Sequence, residues 1–314
     1  MSSSFNAAPK AQQAWSWLLA IWLFLGGTGS GLFLAFLAFG LAHEFAALSL
    51  ALVLTGGVVL LLELGNPLRV WLTVFRPGTS WLSRGVFFVL LFIVACALSI
   101  APTFEIFSWL AWLDNSLAEK LLRWAAGLCA LMIMLYPAFF FLSTSRAIPF
   151  WNTPLLPPLF VSYGVLGGNG VVLLSSPRAT DVLAQAELLA VVLIVANAVM
   201  ISLYLAAMAR NGGSARESVR MLSRAPLSWL SWIGVGVVGM LLPLLAIRFA
   251  QPTAAGACIL IGGLLFRFCL LKAGVYAASA LAEEAHDLSR LNRTSTDFER
   301  EYAGMVAQRT SRAG

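Results

Sequence analysis

Along the chain, apolar residues gather in unbroken blocks of about 20, the length an α-helix needs to cross a hydrocarbon layer about 30 Å thick. Eight such blocks stand at 16–42, 47–65, 84–101, 121–147, 154–175, 185–209, 228–249 and 254–281. None alternates polar with apolar, as a barrel strand would. Within a bilayer only helices and closed barrels satisfy their own backbone groups. The pattern therefore predicts an all-α integral membrane protein with eight transmembrane helices. The first block runs into glycine-rich membrane sequence and not into a small-residue cleavage site, so it is expected to stay as the first helix.

Laid over each other at an offset of about 140 to 150 residues, the two halves share three features in the same order. Leu25-Gly26-Gly27-Thr28-Gly29 recurs as Leu166-Gly167-Gly168-Asn169-Gly170, and Ser80-Trp81-Leu82-Ser83 recurs as Ser228-Trp229-Leu230-Ser231. Cys129 precedes Tyr136 by seven residues, as Cys269 precedes Tyr276. Four helices per unit is an even number, so the repeats are parallel and not inverted. The expectation is two four-helix bundles, 1–148 and 149–284, followed by a polar cytoplasmic tail at 285–314.

Charge fixes the orientation of these spans. Lys10, Arg69, Arg76, Arg84, Arg146, Arg210, Arg216, Arg220 and Arg224, with five arginines of the tail, fall on the side of the termini. The other side has Lys120, Arg123, Arg178 and Arg248, offset by Glu44, Glu105, Asp114, Glu119 and Asp181. Positive loops stay inside, so both termini are expected in the cytoplasm. The net charge of +6 is thereby accounted for by topology and calls for no nucleic acid.

Composition agrees with the membrane reading: 60% hydrophobic and 11% charged residues lie far from the roughly 25% charged content of soluble domains. The four cysteines lie in apolar blocks without CxxC spacing, which suggests packing and neither a disulfide framework nor a metal site. The two histidines, His43 at the end of the first block and His286 in the tail, are not placed to ligate a haem inside the bundle. No haem is expected, and electrons would come from an organic cofactor or a neighbouring subunit.

Several residues carry candidate chemistry. Glu63 is an acid at the inner end of the second block, where insertion costs make an unpartnered carboxylate rare. It either pairs with Arg69 or Arg84 or exchanges protons with a redox ligand. Tyr136, before Pro137 in the fourth block, either packs or donates to a ligand such as a quinone carbonyl. The glycines around Gly27 either bring helices together or line a cleft for a flat ring. Arg267 and Lys272 are cations of the eighth block; Lys272 is expected to snorkel and Arg267 to pair inside the bundle.

The chain resembles the NrfD-like family of membrane subunits found in polysulfide reductase and related complex iron-sulfur molybdoenzymes. The likeness is carried by Trp22-Leu23-Phe24-Leu25-Gly26-Gly27, Glu63-Leu64-Gly65-Asn66-Pro67-Leu68-Arg69, Ser80-Trp81-Leu82-Ser83-Arg84-Gly85, and Tyr136-Pro137 followed by Pro149-Phe150-Trp151-Asn152. It implies a haem-free anchor in the bacterial cytoplasmic membrane that binds a quinone, menaquinone or ubiquinone. It also implies electron exchange with an iron-sulfur subunit, itself attached to a molybdopterin catalytic subunit that does the soluble chemistry. Glu63 and Tyr136 are then the reacting groups, with Trp22, Gly27, Asn66 and Arg69 completing the quinone site. Some relatives carry a histidine near the position of Trp22; this protein has none there, which puts more of the proton role on Glu63. A second reading, a transporter or proton-conducting module built of parallel repeats, also suits intramembrane charges.

Overall fold

The computed structural model describes residues 11–13, 15–63, 81–107, 109, 116–176, 179–224 and 226–277. Its helices are α1 (Trp17–Phe39), α2 (His43–Glu63), α3 (Trp81–Ile100), α4 (Leu117–Ser143), α5 (Leu156–Ser175), α6 (Thr180–Arg210), α7 (Gly213–Ser223), α8 (Leu230–Arg248) and α9 (Pro252–Lys272). All except α7 are long and apolar enough to span a membrane, which gives the eight crossings expected from the pattern. The protein is a multi-pass membrane protein.

The element ends follow from local chemistry. Ser16 caps α1, its side chain accepting from the Leu18 N–H at 3.0 Å. Gly40, at φ 62, closes the same helix in the left-handed conformation that a side chain resists. That turn comes earlier than the end of the apolar block, so His43 opens α2 instead of ending the first span. The α4 helix begins at Leu117 because Ser116 accepts from the Glu119 N–H at 3.1 Å. It then runs unbroken through Pro137.

Two segments differ from the expected pattern. The last span ends at Lys272, short of residue 281, because a strap from the N-terminal segment takes over its backbone. The Gln12 N–H donates to the Gly274 carbonyl at 2.8 Å, the Gln12 amide donates to Leu271 at 3.1 Å, and Ala11 bridges Val275. The seventh span, α8, begins as a π-helix over Leu230–Leu241 and tightens to α-helix from Leu242, next to Pro243. Such wide turns are rare and recur at functional positions.

Packing groups α1 to α4 with one another and α5, α6, α8 and α9 with one another, the groups meeting along α1 and α5. Lipid is as apolar as leucine, so helices here gain by close contact and not by leaving water. Small residues supply it. The two recurring glycine segments face each other: a side chain on Gly31 would run into the Gly164 backbone, and one on Gly168 into the backbone of Gly31 and Leu32. Likewise Gly239 of α8 meets Gly262 of α9 backbone to backbone. The packing reading of the glycines is the one these contacts support. Large apolar residues line the outer faces instead, as with Leu188, Val192, Val195, Val199 and Leu203 of α6.

Candidate functional site

Trp22 and Tyr136 meet in the first group of helices. The indole N–H of Trp22 donates to the Tyr136 hydroxyl at 2.9 Å, and the two residues are 2% and 6% exposed. Glycines make room for both rings. A Cβ on Gly56 of α2 would stand 2.8 Å from the Trp22 ring, and one on Gly85 of α3 would collide with the Tyr136 ring. Four helices thus hold this pair.

An indole nitrogen only donates, so the Tyr136 oxygen is the acceptor and its own O–H proton remains for another group. Among the described residues no acceptor lies within hydrogen-bonding reach of that proton. A buried phenol normally finds one. The arrangement therefore presents a fixed, desolvated hydrogen-bond donor whose orientation Trp22 sets.

Glu63 ends α2 and is held by the start of α1. The Ser16 N–H donates to one carboxylate oxygen at 2.8 Å, and the Ser16 hydroxyl donates to the other. Among the described residues the partner is this serine and not Arg84. Ser16 precedes Trp22 by six residues, so the carboxylate lies about 9 Å of helix rise nearer the membrane surface than the Trp22–Tyr136 pair. Asn66 and Arg69 lie outside the described residues.

Gly27 is elsewhere on α1, about 140° around the helix from Trp22. It seats Arg267: a Cβ there would come within 2.6 Å of the guanidinium Nη2. Arg267 is 2% exposed and pairs with no carboxylate among the described residues. It donates to the Gly263 carbonyl at 3.1 Å and lies 5.9 Å from the Phe24 ring centroid and 6.0 Å from that of Tyr163, while its Nε has no partner among the described residues. Cation–π contact with two rings takes the place of the ion pair. Tyr163 in turn stacks on Phe266 at 3.9 Å.

The strap ties the carboxylate end to the other half of the protein. Trp15 stacks on Trp151 at 5.0 Å and accepts at its carbonyl from Lys272 Nζ at 3.1 Å. Lys272 therefore caps the strap. Tyr204, another buried tyrosine, is satisfied internally, donating to the Phe150 carbonyl at 2.8 Å. Tyr276 is half-buried against the same core. Sequence reasoning missed Ser16 and Gly85. The signal for Ser16 was present, a serine directly before an apolar block, which is where a helix cap belongs.

Fold and site together define a polytopic helical membrane protein. Residues 6–278 match the model of the family described as polysulphide reductase, NrfD. The chain belongs to that family. It is 29% identical over 301 residues to Protein NrfD of Escherichia coli (strain K12), a match covering 83% of this protein and 94% of the relative. It is 25% identical over 300 residues to the C subunit of polysulfide reductase from Wolinella succinogenes, again covering 83% of this protein and 94% of the relative.

Proposed function

We propose that the protein is the quinone-reactive membrane anchor of a multi-subunit oxidoreductase, with its quinone head group received at Tyr136 and its protons exchanged through Glu63. The observation that carries this reading is the buried Tyr136 hydroxyl, which accepts from Trp22 and keeps a proton for a further acceptor. A quinone carbonyl is such an acceptor, and the glycines at 56 and 85 make room for the Trp22 and Tyr136 rings that hold the donor. When bound, the quinone supplies two-electron, two-proton redox chemistry. Tyr136 orients a carbonyl by hydrogen bonding, and Trp22 holds Tyr136 in place. Glu63 accepts or delivers a proton between the interior and the surface, and Ser16 keeps its carboxylate aimed.

Membership of the NrfD polysulphide reductase family, and likeness to one lettered subunit of the Wolinella polysulfide reductase, support a place in a redox complex. The partners are an iron-sulfur subunit and, beyond it, a molybdopterin catalytic subunit. The complex lies in the bacterial cytoplasmic membrane with both termini of this protein inside, as the loop charges favour. Purification from the native membrane tests the reading. A retained quinone with co-purifying iron-sulfur and molybdenum subunits is the expected result, and a solitary, quinone-free oligomer overturns it.

A further inference from the structure

At the end of the molecule where α1 begins, α6 gives way to α7, an 11-residue amphipathic helix. Ala215, Ser218 and Leu222 form its buried face. Arg216, Arg220 and Arg224 recur at every fourth position and are exposed, which places three cations in one stripe. Arg220 also meets Glu217 at 3.1 Å on the exposed surface, while Arg216 and Arg224 form no ion pair among the described residues. The level of this stripe in the membrane is set by Trp229 and Trp232, which are 63% and 65% exposed. Exposed tryptophans at a span's end mark the headgroup layer. Trp232 donates from its indole to the Ser223 carbonyl at 3.4 Å, which fixes the end of α7 at that layer.

Behind α7 lies a shallow, open-mouthed cleft between α6, α8 and α9, with a void of about 40 Å³. Its walls are Ile201 and Leu205 of α6, Leu222 of α7, Val235 of α8 and Phe266 of α9. The Tyr204 hydroxyl in its wall is already used by Phe150, so the cleft asks for an apolar occupant. The π-helical part of α8 forms the side facing α6, and the two helices touch only sparsely there. Topology accounts for the arginines by themselves, but not for an apolar cleft that shares Leu222 with their helix.

We propose that this is a binding site for an anionic diacyl phospholipid, its phosphate on the Arg216, Arg220 and Arg224 stripe and one acyl chain laid along the open apolar mouth of the cleft beside Leu222. The two features suit the two ends of one molecule: guanidinium groups match phosphate oxygens, and the cleft matches a hydrocarbon tail. A neutral lipid would satisfy only the cleft. A soluble anion would satisfy only the stripe.

The test uses the full-length protein, purified in detergent and stripped of lipid, with native mass spectrometry after addition of phosphatidylglycerol or phosphatidylcholine carrying the same acyl chains. Phosphatidylglycerol should be retained in preference, and replacing the three arginines by glutamine should lower its retention by about fivefold for each charge removed. Val235→Phe, which fills the cleft, should lower retention of both lipids. The comparison of two lipids on the unaltered protein does not depend on any variant folding. Equal retention of the two lipids overturns the proposal, as does wild-type retention by either variant. So does a stripe variant that keeps its lipid but loses a partner subunit, which would make α7 a protein-docking face. A quinone found in the cleft in place of phospholipid, and released by Val235→Phe, overturns it as well.

Discussion

Trp22 of α1 donates to the hydroxyl of Tyr136 of α4 at 2.9 Å, and both side chains are buried. This bond has a direction with consequences for mutagenesis. Tyr136→Phe removes the donor offered to a quinone and also leaves the Trp22 N–H without an acceptor. The second effect should lower stability by about 1 to 3 kcal/mol, the cost of an unsatisfied buried group. The first should weaken quinone binding roughly 2- to 12-fold, the worth of a single hydrogen bond. Quinone-coupled turnover in the assembled complex, measured beside turnover with an artificial carrier that bypasses this subunit, separates the two. Loss of both activities in step would make Tyr136 structural only.

The glycine crossing yields a contrast within one residue type. A Cβ at Gly168 would meet the backbone of Gly31 and Leu32, neither of which can swing aside, whereas a Cβ at Gly57 of α2 would meet nothing within 4 Å. Gly168→Ala should therefore destabilise by the roughly 1 to 3 kcal/mol typical of overpacking, or more. Gly57→Ala should be neutral or stabilising by about 0.5 to 1 kcal/mol, the helix penalty of glycine. Thermal unfolding in detergent checks both, and equal behaviour of the two variants would remove the crossing from the account of stability.

Arg267 is a buried cation with no carboxylate partner among the described residues, and Gly27 is the residue that admits it. Burying a charge away from water is costly when no ion pair compensates. Arg267→Met keeps much of the volume and should give a protein at least as heat-stable as wild type. Gly27→Ala crowds the guanidinium between Phe24 and Tyr163 and should lower stability. In the Arg267→Met background that loss should shrink, with a coupling of about 0.5 to 3 kcal/mol expected of residues in contact. Purely additive losses would show that Gly27 is small for some other reason.

Much of this architecture was legible because a bilayer imposes a length and a composition on every span. Eight blocks in the sequence became eight spans, and the recurring glycines became a contact between the segments that contain them. Less legible were the places where one side chain or backbone group decides the outcome. The early end of α9 depends on Gln12, some 260 residues away, and nothing local to residues 273–281 announces it. Arg267 was expected to pair inside the bundle; the described residues around it are two aromatic rings, a backbone carbonyl and a glycine, a solution invisible to a search for opposite charge. For Glu63 the sequence offers arginines as partners, while the partner among the described residues is the cap of a helix, 47 residues earlier.

That cap gives the last prediction. Ser16 donates twice to Glu63, from its backbone N–H and its hydroxyl, and the same hydroxyl accepts from Leu18 to cap α1. If Glu63 exchanges protons with a bound quinone, Glu63→Gln should lower kcat of quinone-coupled turnover by about 10²-fold or more and change KM little. Ser16→Ala should lower kcat roughly tenfold, the worth of one hydrogen bond to a charged group. It should also cost about 0.5 to 2 kcal/mol of stability through the lost cap. Ser16→Thr keeps the hydroxyl and should restore both. The two roles separate in the double variant: Ser16→Ala should still cost stability in the Glu63→Gln background but should reduce kcat little further. Additive losses in kcat would leave Ser16 as a cap alone, and wild-type turnover by Glu63→Gln would remove the carboxylate from proton exchange altogether.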